Sequence, residues 1–215
     1  MRRAAALLLA LWVAVVHAGA EDDGDPVLLI AHPAMPDPNF AHSVVAVGFP
    51  QDSGPMGVIL NHPSPLTLGQ LFAADRPALA ELSDTVFFGG PVMPDGILFV
   101  FRAAGHPVKA LPLGDDWYLS GDGAVFERLV ADPATMPARR FFAGYAGWAE
   151  GQLEREVARG DWYVMRLDTT VLGDADTATL WERLLQRAQA QTAALPRPTA
   201  VSYRPARDEV RLPRH

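Results

Sequence analysis

The chain has 215 residues, of which 49% are apolar and 20% charged, with a formal charge of −7; this suits one globular domain, with or without extensions. It contains no cysteine, which excludes disulfide staples, thiol nucleophiles, zinc–thiolate sites and iron–sulfur clusters. Acidic residues outnumber basic ones and Lys109 is the single lysine, a balance that argues against nucleic acid as a partner, because phosphate backbones are held by clustered Lys and Arg.

At the start of the chain, Arg2 and Arg3 precede an apolar run over residues 4–16, and Ala18-Gly19-Ala20 offers small residues at the positions a signal peptidase inspects. The run is too short to cross a bilayer as a helix, and "EDDGDP" follows at once. Residues 1–20 are therefore expected to be a signal peptide, removed near Ala20, and residues 21–25 an acidic linker. The mature protein would be periplasmic or secreted. Loss of Arg2 and Arg3 takes the formal charge from −7 to −9.

"VLLIA" (27–31) reads as a buried strand that stops at the proline-rich "HPAMPDP". "SVVAVGF" (43–49) and "MGVILN" (56–61) read as two strands of a hairpin around a polar loop. Short helical turns follow around Pro77. "TVFFGGP" is a strand entering a glycine-rich bend, and "GILFVF" (96–101) is another strand. "GDGAVFERLVAD" has helical spacing, with Asp122 near its N-cap. In the segment "RRFFAGYAG", "AEGQLEREVARG", "DWYVMRLD", a strand turns into a helix ending at Gly160 and continues into a strand. "DADTATLWERLLQRAQ" (174–189) carries an apolar stripe of Leu180, Trp181, Leu184, Leu185 and Ala188. Short strands with segregated helices predict a single α+β domain over 26–189. The Pro/Arg-rich segment 190–215, with five arginines against Asp208 and Glu209, shows no period. It is expected to be a disordered tail that makes at most a weak electrostatic contact with acidic partners or membrane.

Chemical motifs are sparse. Neither a Walker loop nor a dinucleotide fingerprint is present. "GYAGWAEG" (144–151) has the strand–turn–helix shape of a hydrolase elbow, but Tyr145 and Ala146 stand where a nucleophile would be needed. The turn's backbone N–H groups suit an anion, while its small residues equally suit close main-chain packing beside Trp148. His32, Asp37, His42 and His62 match no metal-ligand spacing and read as loop residues; no metal or cofactor is expected. Glu150, Glu154 and Glu156 could serve acid–base chemistry, although carboxylates early in a helix ordinarily complement its dipole.

Four segments in order, "HPAMPDPNFAHSVV" (32–45), "GPMGVILNHP" (54–63), "FFGGPV" (87–92) and "GYAGWAEGQLEREVARGDWY" (144–163), resemble the AlgH/YqgE family of bacterial proteins across 26–189. The resemblance implies an α+β domain with a bifurcated, barrel-like, mostly antiparallel sheet and flanking helices, without an established enzymatic activity. It also implies pattern positions, among them Asp37, Ser43, Asn61, Gly89, Gly90, Tyr145, Trp148, Gln152 and Glu154, which are the candidate ligand-binding residues. No catalytic residue is assigned. Family members resemble cytosolic proteins, whereas this chain carries an export signal. The expected function is a non-enzymatic, exported domain binding an unknown small ligand or protein. Two alternatives are a transcriptional regulator, as the family name suggests, and a hydrolase or lyase using Glu154 with Asp37 or Tyr145.

Overall fold

The computed structural model describes residues 24–72, 76–105, 107–131 and 138–194. The expected signal peptide, residues 21–23 of the linker and residues 195–215 of the tail lie outside the described residues.

Among the described residues ten strands form one sheet: β1 (Val27–Ala31), β2 (Val44–Gly48), β3 (Met56–Ile59), β4 (Pro63–Thr67), β5 (Thr85–Phe88), β6 (Val92–Arg102), β7 (Leu111–Pro112), β8 (Trp117–Ser120), β9 (Arg139–Gly147) and β10 (Trp162–Arg166). Four α-helices accompany them among the described residues: α1 (Leu68–Phe72), α2 (Gly123–Ala131), α3 (Gln152–Arg159) and α4 (Leu180–Ala194). Single 3-10 turns occupy Pro38–Phe40, Pro77–Leu79 and Thr169–Gly173. The main strand order is β10-β1-β2-β3-β9-β6-β8-β7, with β4 and β5 branching off at β9. Every pairing is antiparallel except β5 with β9. The result is a curled, bifurcated half-barrel, as the family resemblance implies.

Uninterrupted apolar runs explain the centre of this sheet. All five residues of β1 and all five of β2 are buried, because both faces of these strands are covered. Leu28, Ile30, Val44 and Ala46 point into one core with α4, while Leu29, Ala31, Val45 and Val47 point into another beneath α3. Each such aliphatic side chain contributes roughly 1.5–3 kcal/mol on burial. A third core lies between β6, β9 and α2, built on Phe99, Phe101, Phe126 and Phe141.

β9 touches all three cores and is where the sheet splits. Its first half pairs with β5, through Val86–Phe141 and Phe88–Ala143, and its last residues pair with β3, through Met56–Gly147 and Gly57–Ala146. Between them Gly144 adopts φ +70°. This left-handed residue reverses the strand's alternation: Phe142 and Tyr145, three apart, face the same core. A Cβ on Gly144 would lie 2.4 Å from the carbonyl oxygen of Gly90, and one on Gly90 (φ +149°) 2.3 Å from the carbonyl carbon of Tyr145. Two glycines therefore permit the main-chain contact that divides the sheet.

Several elements differ from the sequence expectation. β4 lies in a proline-containing stretch without strand alternation, and its two prolines are compatible with an edge position. β7 and β8 were not anticipated either; β8 is short and wholly buried. The last helix begins at Leu180 rather than 174, since residues 174–179 are held by side chains of Asp174 and Asp176. It continues to Ala194, past the expected end at 189. The other helices follow expectation: Asp122 accepts from the amides of Ala124 and Val125 at the start of α2, and Gly160 closes α3 in the left-handed conformation.

Candidate functional site

The strand-to-helix turn after Gly144 is a packed joint. Trp148 is buried, and its indole N–H donates to Glu156 Oε2 at 2.9 Å; the indole of Trp162 donates to the same oxygen at 3.0 Å. Gln152 Nε2 donates to Glu156 Oε1 at 3.0 Å, and its Oε1 accepts from the Ala149 amide. Phe40 stacks on Trp148 and meets Trp162 edge-on at 5.4 Å. One carboxylate thus ties the start of α3 to β10 and to the end of β9. Burial pushes the Glu156 carboxyl up, but the three N–H donors and the charge of Arg159 outweigh it, leaving the pKa below its ordinary value near 4.5. An anion held ionised with both oxygens engaged is a poor general acid.

The residues proposed from sequence mostly have local partners. Asp37 caps the 3-10 turn by accepting from the Asn39 amide, and the buried Ser43 hydroxyl donates to the Phe40 carbonyl. Asn61 bridges the loop and strand, donating to the His42 carbonyl and accepting from the Val44 amide. Gly89 and Gly90 press against the β9 main chain. Tyr145 is half-buried against the α4-side core. Glu154 is exposed. Trp148 and Gln152 do meet, and they meet on Glu156, whose carboxylate was not singled out over Glu150 and Glu154. Its helical spacing to Gln152, four residues, was the available signal. His32 stacks on Tyr163 and accepts from the Ala34 amide, and the His42 ring sits 4.3 Å from that of Trp181. Among the described residues no group of three or more His, Asp and Glu side chains is disposed to hold a metal ion.

A cleft of about 310 Å³ opens at the opposite end of β9. Pro63, Asp84, Thr85 and Phe87 from β4, β5 and the residue before β5, Arg139 and Arg140 from β9, and Ala175 and Thr177 line it. Strand alternation sends the adjacent arginines to different partners. Arg139 forms a fork on Asp84, Nε to Oδ1 at 3.1 Å and Nη2 to Oδ2 at 3.0 Å, with its side chain only 9% exposed. Arg140 lies over the Phe87 ring at 4.8 Å and donates to two main-chain carbonyls, Leu60 at 3.2 Å and Asp174. Burial lowers its pKa, and the nearby Asp174 charge acts the other way; a guanidinium stays protonated regardless. The Asp174 side chain itself is taken by Arg183. Neither arginine was a sequence candidate, since a basic pair in a strand carries no motif.

The sheet and its flanking helices define a single-domain α+β half-barrel. Comparison with known proteins agrees on the fold. The AlgH-like family matches residues 28–193. A UPF0301 protein of Anaeromyxobacter sp. is 34% identical over 75% of this chain and 86% of its own length, and one from Streptomyces coelicolor is 36% identical over 77% and 87%. The solution structure of the AlgH protein from Pseudomonas aeruginosa superposes with a TM-score of 0.61 at 27% identity, covering 80% of this chain and 94% of that one. A crystal structure from Corynebacterium diphtheriae, at 23% identity and a TM-score of 0.60, shares the fold. The chain belongs to the AlgH-like family, UPF0301.

Proposed function

We propose that this protein is an exported, non-enzymatic domain that binds a small ligand in the cleft at the Arg139–Arg140 end of β9. The observation that carries the reading is Arg140: a guanidinium that lines a cleft, lies over the Phe87 ring and, among the described residues, is hydrogen-bonded to the Leu60 and Asp174 carbonyls. Concave sites of this size with a few fixed polar groups are where small molecules bind. Export is supported by Arg2, Arg3, the apolar run over 4–16 and Ala18-Gly19-Ala20. The regulator alternative needs a cytoplasmic chain and a basic face. The hydrolase alternative rests on Glu154 with Asp37 or Tyr145, whereas Glu154 is exposed on α3 and Asp37 caps the 3-10 turn at Pro38–Phe40.

N-terminal sequencing of the natural protein tests the compartment; a chain starting at Glu21 is expected, and one retaining residues 1–20 in the cytoplasm would overturn export. A fragment screen by amide chemical shifts tests the site. Hits are expected at residues 85–87, 139–141 and 175–177, and hits confined to the Trp148–Glu156 region would move the site away from the cleft.

A further inference from the structure

Building on the binding reading above, we infer that the cleft recognises a small oxyanion, a carboxylate or a phosphate, through the guanidinium of Arg140. The charges around the cleft pair off unevenly. Arg139 is matched by Asp84 and Arg183 by Asp174, each through a direct ion pair. Arg140 has no bonded carboxylate among the described residues; its contacts are the Leu60 and Asp174 carbonyls and the Phe87 ring. A guanidinium carries five N–H donors, so two carbonyl bonds leave several available.

The anchoring suits recognition. Two carbonyls and an aromatic face fix the plane of the fork, so an incoming oxyanion meets a donor already oriented and little side-chain entropy remains to be lost. N–H bonds between ionised partners are stronger than neutral ones, and more so where water is partly excluded. Asp84 lines the same cleft, but its carboxylate is matched by the two-point fork of Arg139. Thr85 and Thr177 add hydroxyls to the lining. The volume admits an acid of a few heavy atoms and excludes a polymer.

The test uses the protein as the cell processes it, followed by amide chemical shifts in titrations with sodium phosphate, sodium acetate, sodium chloride and the neutral isostere acetamide, at matched ionic strength. Saturable shifts at residues 85–87, 139–141 and 175–177 are expected with phosphate or acetate and not with chloride or acetamide. Thr177→Glu, which adds a carboxylate without removing any bond to Arg140, is expected to weaken anion binding by about tenfold or more. Arg140→Lys keeps the charge but loses the fork and should weaken it as well. Equal shifts with chloride, or undiminished anion affinity in a folded Thr177→Glu protein, would overturn the inference. Acetamide binding as well as acetate would overturn the anion while leaving the binding domain intact. If neither the anions nor a neutral fragment library shifts these amides, both readings fall.

Discussion

The two ends of β9 were made by one strand and solve opposite problems. Beyond Gly144 the chain is filled and satisfied: glycines bring main chains together, Trp148 and Trp162 close over Glu156, and Gln152 completes the carboxylate's bonding. Before Gly144 the same strand presents Arg139 and Arg140 to a cleft, and among the described residues only Arg139 is bonded to a carboxylate. The more distinctive stretch of sequence therefore marks the joint that sets the fold, whereas the plainer stretch marks the place with spare bonding capacity. A motif dense in Gly and Trp is as readily a packing solution as a site.

That contrast can be broken in stages. The largest effect should come from Gly144→Ala, which combines a left-handed backbone with a Cβ 2.4 Å from the Gly90 carbonyl oxygen; a loss of about 3–5 kcal/mol is expected in denaturant unfolding, and an unchanged midpoint would mean that the joint is loose. Glu156→Gln should lose about 1–3 kcal/mol, because the bonds that survive lose their charge and one oxygen becomes an N–H donor facing another donor. Its pH signature is specific. The folded-state pKa is lowered, so the wild-type advantage should be complete above the ordinary value near 4.5 and fade as pH falls through the lower folded value. An advantage that persists at pH 2 would assign the effect to shape instead of charge.

At the cleft end, changes should alter binding more than folding. Arg140→Met should cost about 1–3 kcal/mol, since the Leu60 and Asp174 carbonyls lose their donor while the desolvation cost of the guanidinium is recovered, and it should abolish the anion-dependent shifts. Glu154→Ala is expected to shift stability by no more than about 0.5 kcal/mol, because the side chain is exposed; a large loss of function in this variant would return the hydrolase alternative to consideration.

Much of this arrangement could be read in advance. The apolar runs of β1, β2 and β3, the hairpin between the last two, the capped helices α2 and α3 and the strand–turn–helix at 139–159 are local patterns, and local patterns survive in the fold. The family resemblance supplied the bifurcated sheet, which no periodicity encodes. The proline-bearing β4 and the short β8 escaped because each is a strand by virtue of its neighbours: β4 by pairing with β5, β8 by lying between β7 and β6. Among the candidate residues, Trp148 and Gln152 were found together, while Glu156, Trp162 and Phe40 joined them from positions that only folding brings close.

By itself, the order of residues determined the apolar strands β1, β2 and β3, the helices α2 and α3, the turn at Gly144 and the absence of thiol chemistry, since period, backbone freedom and composition act over a few neighbouring residues. Which glutamate accepts two indoles was decided only when α3 met β10 and the end of β9, and which of two adjacent arginines bonds to a carboxylate only when β5, β9 and the 174–177 segment converged. Pairing of charges depends on distances between segments remote in the chain, and those distances exist only in the folded molecule.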